Sequence, residues 1–222
     1  MGEEVILLDS GVSPFGLRVR IALAEKRVNY ERKEENLDDK SPLLLQSNPV
    51  QKKIPVLIHN GRPICESLVI VQYIDEVWNV GTPLLPEDPV DRARASFWAD
   101  FVDKKVYNSG SRIWRNEGEI REAAKQEFLE SLKLLEAELG AKPYFGGERF
   151  GYVDIALLSF APWFYTYETY GNFSLEEECP QLMAWVERCR ERESVFGASP
   201  HPHNVYDEVV AYCSKIQRMK DM

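Results

Sequence analysis

The sequence predicts an α/β domain followed by an all-helical one, and three observations carry that reading. Short β-rich and helical patterns alternate through the first third of the chain. Three prolines then crowd into Gly81-Thr82-Pro83-Leu84-Leu85-Pro86-Glu87-Asp88-Pro89. Beyond that segment only helical periodicity appears. The expected division is residues 1–80, a linker over 81–89, and residues 90–222. A chain of 222 residues, 44% hydrophobic, is long enough for two modest cores.

Each element follows from local pattern. Val5-Ile6-Leu7-Leu8 is a compact apolar strand, and Ser13-Pro14 opens a helix in which Phe15, Val19, Ala22 and Leu23 recur at helical spacing. A second strand is expected near Asn29 to Lys33. Pro55 to His59, the turn Asn60-Gly61, and Arg62 to Cys65 form the strongest hairpin signal, because Asn-Gly supplies the positive φ angles of a type I′ turn. Ser67 is expected to cap a helix running to about Trp78. The order β, α, β, helix or loop, β, β, α is a thioredoxin-like arrangement. In the second region Phe128, Leu132, Leu135 and Leu139 define one helix face, and Val205, Val209, Tyr212, Cys213 and Ile216 define another. Ile155 to Tyr165 reads as a single buried helix, with about 11 residues against the ~20 a bilayer requires. The charged tail after Lys215 is expected to fray.

Composition removes several classes of function. Lys+Arg total 27 against Asp+Glu 36, a formal charge of -9, so a nucleic acid partner would be repelled over most of the surface. Met1-Gly2-Glu3-Glu4 is not a basic, then apolar, export leader, and Ile6 stands where a myristoylation signal needs Ser or Thr. Cys65, Cys179, Cys189 and Cys213 show no CxxC and no zinc-type spacing. They are expected to be free thiols, with no metal and no membrane association, in the cytosol.

Three places carry candidate chemistry. Ser13 stands at a strand-to-helix junction with Pro14 in the first turn, where it can serve as an N-cap or as a hydroxyl donor. Only His59, His201 and His203 are present, and none neighbours Ser13 in sequence, so a Ser/His/Asp triad has thin support. Glu66-Ser67 pairs a carboxylate with a hydroxyl at a helix start, where free N–H groups attract anions; a capping pair explains it equally. Lys53-Ile54-Pro55 places a proline just before a strand. A cis bond there would leave the preceding backbone free to pair with a peptide-like ligand.

Taken together and in order, these motifs resemble plant tau-class glutathione transferases. The resemblance rests on Ser13-Pro14-Phe15-Gly16 with Arg18 to Lys26, Lys40-Ser41-Pro42, Asn48-Pro49, Lys53-Ile54-Pro55-Val56-Leu57, Glu66-Ser67 and Gln72 to Glu76. It continues through Phe97-Trp98-Ala99-Asp100, Asp103-Lys104-Lys105, Lys142 to Gly147 and Gly151 to Ala156, and so covers nearly the whole chain. The resemblance implies that the Ser13 hydroxyl donates to the glutathione sulfur. It implies that Glu66 and Ser67 hold the γ-glutamyl end, that Lys40 and Lys53 neutralise the glycyl carboxylate, and that Ile54 pairs with the cysteinyl unit ahead of a cis Pro55. Pro14 and Asp39 complete the implied glutathione site. Reduced glutathione would be a co-substrate, with no permanently bound cofactor, and the protein a symmetric homodimer.

The implied roles agree with the physics. Two lysines, a glutamate and a helix N-terminus complement the two carboxylates and one ammonium of glutathione. Lowering a thiol pKa of ~8.5 by ~2 units, or ~2.7 kcal/mol, makes thiolate the major form near neutrality. A hydrogen bond to a charged group contributes ~1.5–3 kcal/mol and a helix N-terminus up to ~2. Ser13 therefore needs no partnering base. The electrophile is expected against Phe15, Tyr107, Ser111, Trp114 and Trp163, although core packing is the ordinary role of such residues. Ser10-Gly11-Val12 replaces the bulky aromatics many family members carry there, which predicts a differently shaped pocket. Asp154, three residues after Gly151, is assigned to helix capping. A thiol-disulfide or dehydroascorbate reductase would need a cysteine at position 13. Glutathione-dependent peroxidase activity and non-catalytic carriage of apolar ligands such as flavonoids remain the competing readings.

Overall fold

The computed structural model describes residues 3–220. Met1 and Gly2, where the export and lipidation reading begins, lie outside the described residues. Strand β1 (Val5–Asp9) is the centre of a four-stranded sheet of order β2-β1-β3-β4. It runs parallel to β2 (Glu31–Glu34), with Leu7 opposite Arg32, and antiparallel to β3 (Val56–His59), with Leu7 opposite Leu57. β3 pairs in turn with β4 (Arg62–Cys65).

Sheet residues alternate faces, so a strand that is apolar throughout must be covered on both sides. Val5 and Leu7 pack with Leu17, Ile21, Ile70 and Ile74 from helices α1 (Pro14–Glu25) and α3 (Ser67–Val77). Ile6 and Leu8 join Val56, Ile58 and Leu44, the last from the short α2 (Pro42–Ser47). The Asn60-Gly61 turn has φ of 50° and 75°, both positive as the hairpin reading requires. β2 starts at Glu31, two residues later than Asn29. Ser67 is not the cap of α3: Glu66 takes that position and the Ser67 hydroxyl is used elsewhere.

After α3 the chain has no regular element until α4 (Pro89–Phe101), whose first N–H groups, Val90 and Asp91, donate to the Asp88 carboxylate. Everything beyond is helical: a π-helical segment Val102–Tyr107, α5 (Asn108–Arg115), α6 (Gly118–Leu139), α7 (Tyr152–Leu158), α8 (Ala161–Gly171), α9 (Leu175–Glu178), α10 (Pro180–Arg190), α11 (Glu193–Phe196) and α12 (Pro202–Lys220). Phe128, Leu132, Leu135 and Leu139 are all buried. The face predicted on α12 is buried only at Val205 and Val209, while Tyr212 is exposed. The segment after Lys215 stays helical to Lys220 instead of fraying.

The expected single helix from Ile155 to Tyr165 is two helices, α7 and α8. Pro162 has no N–H for an interior helical bond and sits in the first turn of α8, so α7 stops ahead of it. Asp154 performs the capping predicted for it. One oxygen accepts from Gly151 N at 2.9 Å, the other from Phe145 N at 3.0 Å and Trp185 Nε1 at 2.9 Å. All four cysteines are free thiols. Among the described residues no helix is long and apolar enough to cross a membrane.

Candidate active site

Ser13 is at once cap and candidate donor. Its oxygen accepts from Gly16 N at 3.1 Å, which leaves the hydroxyl proton free at the half-exposed head of α1. Accepting an N–H polarises the O–H, so the capping bond favours donation to a sulfur instead of competing with it.

The loop that delivers Ser13 is tied along its length. Ser10 O accepts from Ser13 N at 3.0 Å and from Arg20 Nη1 at 3.4 Å. Gly11 N donates to Glu34 Oε1 at 2.8 Å, and Gly11 O accepts from Arg20 Nη2 at 3.1 Å. Val12 O accepts from Trp163 Nε1 at 3.0 Å. Arg20 also forms a tight ion pair with the buried Asp9, whose carboxyl burial pushes above its ordinary range, and reaches Ala198 O at 3.2 Å. A Cβ on Gly11 would meet only ordinary contacts, so position 11 has room for the side chain this sequence lacks.

The charged residues named by the sequence lie on propped loops. Ser41 caps α2 through Leu44 N, while its hydroxyl donates to the buried Glu35 at 2.7 Å, fixing the turn that carries Asp39 and Lys40. Asn48 is buried; its Nδ2 donates to Lys53 O at 2.9 Å and its Oδ1 accepts from Gln51 N, which holds the turn bearing Lys53. Ile54-Pro55 is cis, and Ile54 lies two residues before Val56, the first paired residue of β3, outside the sheet ladders. Glu66 has φ of 69°, a rare conformation for a glutamate, at the mouth of α3. Among the described residues, the side chains of Asp39, Lys40, Lys53 and Glu66 take part in no ion pair. These two cations and two anions are therefore not spent on ion pairs within the fold, a state they share with other charged side chains such as Arg27, Lys52 and Arg62.

Sequence reasoning missed the residue behind Ser67. Arg18 is fully buried; it donates to Ser67 Oγ at 3.1 Å, to Asp103 Oδ1 at 2.6 Å and to Ala156 O at 2.9 Å, and its guanidinium lies 5.2 Å from the Phe15 ring centre. Arg18 was part of a quoted motif, but its partners are on the π-helical segment and α7. No spacing in the sequence points to them.

The aromatic side chains named for the apolar side lie in two neighbouring sets. Phe15 meets Tyr107 edge-on at 4.9 Å and Phe160 at 5.8 Å; Trp114 lies 6.3 Å from Trp163 and 5.7 Å from Tyr212. Phe160 and Tyr212 were not predicted as part of them. Ser111 is buried and its hydroxyl donates back to Asn108 O at 3.0 Å, so its polar function is spent within α5. Trp114 Nε1 is buried with no partner.

A thioredoxin-like sheet carrying a serine at the head of α1, joined to a helical domain with an aromatic wall, defines the class of glutathione-using enzymes. The comparisons agree. Residues 3–76 match the glutathione S-transferase N-terminal domain and residues 118–188 the C-terminal domain. The chain is 61% identical to a probable glutathione S-transferase, parC, of Nicotiana tabacum over 93% of this chain and 94% of that one. It is 58% identical to glutathione S-transferase 3 of Glycine max over 95% and 96%. A rice GST1 structure in complex with glutathione superposes with a TM-score of 0.91 at 50% identity, covering 97% of this chain and 98% of that one. A tau-class structure from Mangifera indica gives 0.89 at 44% identity, covering 94% and 98%. The chain belongs to the glutathione S-transferase family, in its tau class.

Proposed function

We propose that this glutathione transferase uses Ser13 to stabilise the thiolate of glutathione for attack on a hydrophobic electrophile. The observation that carries the proposal is the state of the Ser13 hydroxyl: its oxygen is engaged by Gly16 N and its proton is uncommitted. Pro14 sets the helix start behind it. The glycyl carboxylate is assigned to Lys40 and Lys53, the cysteinyl backbone to Ile54 beside Pro55, and the γ-glutamyl group to Glu66 and Ser67 with Asp39 at the rim. The two lysines answer the glycyl carboxylate, Glu66 the ammonium, and Ser67 with the free N–H groups at the head of α3 the γ-glutamyl carboxylate. In the chemical step the thiol proton leaves to solvent, the sulfur forms a bond to the electrophilic carbon, and the leaving group departs with the bonding pair. Phe15, Tyr107, Trp114 and Trp163 line the apolar side, with Ser111 behind them as packing.

The domain boundary is assigned to 81–89, between α3 and α4. A symmetric homodimer in a cytosolic setting completes the reading. The dimer is supported by Val69 on α3 and by Val90 and Phe97 on α4, large apolar side chains left exposed on the two halves of the chain.

The test is the rate of thioether formation with a chlorodinitrobenzene-type electrophile in Ser13→Ala, with glutathione affinity measured alongside. Turnover falls about ten- to a hundredfold, the worth of one hydrogen bond to a charged sulfur, while binding persists. Undiminished turnover in Ser13→Ala would remove Ser13 from the chemistry. A wild type that binds glutathione but is no faster than solution would make the protein a carrier.

A further inference from the structure

We infer that Trp163 is a positioning residue for Ser13, acting from the helical half of the chain through the Val12 carbonyl. The inference rests on the reading of Ser13 given above. The observation is one hydrogen bond: Trp163 Nε1 donates to Val12 O at 3.0 Å across 151 residues of sequence. Val12 precedes Ser13 directly, so the peptide plane whose oxygen Trp163 holds is the one whose nitrogen belongs to Ser13. Fixing that plane fixes the φ of Ser13, and with it the direction in which the Ser13 side chain leaves the backbone.

The other contacts of the loop leave the Val12 carbonyl open. Arg20 secures the carbonyls of Ser10 and Gly11, and Glu34 secures the Gly11 amide. Those ties act from the first half of the chain, which also holds the N–H edge of the Val12–Ser13 plane through Ser13 N to Ser10 O at 3.0 Å; the carbonyl edge is held by Trp163. Val12 O has no other hydrogen-bond partner among the described residues. Gly11 makes the gap consequential, because a residue without Cβ at the centre of the loop leaves its backbone less restricted than a bulkier residue would.

Trp163 is itself well anchored. Its N–H group on the main chain donates to Phe160 O at 2.8 Å, and its ring packs between Trp114 at 6.3 Å and Tyr167 at 6.1 Å. The indole N–H is thus aimed from a rigid element, which is what a positioning group requires. A side chain that served only as a wall for the electrophile would have no use for that bond. Its loss would then alter affinity for the second substrate alone.

The experiment replaces the donor while keeping the ring. Trp163→Phe removes the indole N–H. The same site carrying benzothienylalanine, in which sulfur replaces that N–H, preserves the bicyclic shape if Trp163→Phe packs poorly. The pKa of bound glutathione is read from the ultraviolet absorbance of the thiolate and from the pH profile of kcat/KM. This is done in wild type, both Trp163 variants, Ser13→Ala, and Ser13→Ala combined with each. Hydrogen exchange of the amides of residues 11–13 is followed without glutathione.

The expected result is an upward shift of the bound thiol pKa by about half a unit to one unit in each Trp163 variant. Exchange at residues 11–13 should be faster, the KM for glutathione should change less than about twofold, and no further shift should appear once Ser13 is alanine. An unchanged thiol pKa and unchanged exchange, with only the KM for the electrophile altered, would overturn the inference. So would an equal shift in the Ser13→Ala background, which would show Trp163 acting on the sulfur independently. If Ser13→Ala itself leaves the thiol pKa unmoved, the reading of Ser13 fails; the exchange data still decide whether Trp163 holds the loop.

Discussion

At the scale of single residues, the buried polar atoms without partners are the informative ones, because an unmet donor in a low-dielectric interior costs about 1–3 kcal/mol. Trp114 Nε1 is such a donor, on a buried indole that packs against Trp163 and Tyr212 in the apolar wall. The N–H is closed to solvent in the free protein, so a substrate that brings an oxygen acceptor into this wall offers the missing partner only as the neighbouring side chains shift to admit it. Trp114→Phe is therefore expected to change the unfolding free energy by no more than about 1 kcal/mol, since losing the unmet donor offsets part of the lost packing. The same change should lower kcat/KM for a nitro- or carbonyl-bearing electrophile about two- to tenfold relative to an alkyl halide. Equal losses for both substrates would mean that the N–H plays no part in recognition. Asp9 has the converse problem. Its unpartnered oxygen lies where a Cβ on Gly16 would stand, which is why the second residue after Pro14 has no side chain. Gly16 is thus held by steric need next to the amide that caps on Ser13.

At the scale of elements, the junction before α7 shows how a fold stores a titratable group without using it in chemistry. Asp154 is fully buried, and burial raises its pKa from 3.8 to about 6, opposed by hydrogen bonds from Phe145, Trp185 and Gly151. A carboxyl whose folded value is raised keeps its proton in the folded state while the unfolded chain has lost it. Its contribution to stability is thus fully present below about pH 4 and is lost as the pH rises through about 6. The unfolding free energy of the wild type, taken relative to Asp154→Asn, is expected to fall by about 3 kcal/mol between pH 4 and 7 and to be level above that. A flat difference across the window would mean that the hydrogen bonds hold the carboxylate ionised throughout. Asp154→Ala, which strands three donors, should destabilise the protein by about 3 kcal/mol or more at neutral pH. The capping role of Asp154 was legible because it depends on a spacing of three residues. So were the Asn60-Gly61 hairpin and the Ser13 cap, both local patterns, whereas the cis bond before Pro55 was left open by the residues and came from the family resemblance. The split between α7 and α8, the π-helical turn at Val102–Tyr107 and the exposure of Tyr212 were not legible. They are settled by what packs against the segment, and no window of the sequence contains that information.

At the scale of the whole molecule, the same limit applies to the bonds that join the two halves. Tyr152 Oη donates to Leu68 O at 3.1 Å, Trp163 reaches Val12, and Arg18 connects α1 and Ser67 to Asp103 and Ala156, up to 138 residues away. Arg18 was visible in the sequence as part of a motif, but its function depends on partners that only the folded chain brings to it. Its side chain is fully buried, whereas Asp103 keeps a third of its exposure, so removing the cation leaves a carboxylate partly reachable by water and the carbonyl of the fully buried Ala156 without its donor. Breaking such a pair by deleting one member is more damaging than never having built it. Arg18→Met, which keeps the length and apolar stem, is expected to lower the unfolding free energy by about 2–4 kcal/mol. Arg18→Lys should recover little of that, because one ammonium cannot serve three acceptors laid out for a planar fork. Trp78 is the one tryptophan of the first half, against Trp98, Trp114, Trp163 and Trp185 in the second. Following Trp78 in a variant that keeps only that indole, beside the far-ultraviolet signal dominated by the helices, reports the two halves separately during denaturation. Coincident transitions in that single-tryptophan background that separate when Arg18→Met is added would show that this buried guanidinium couples the halves. Transitions that stay coincident, with an unchanged midpoint, would place the coupling in the apolar interface alone.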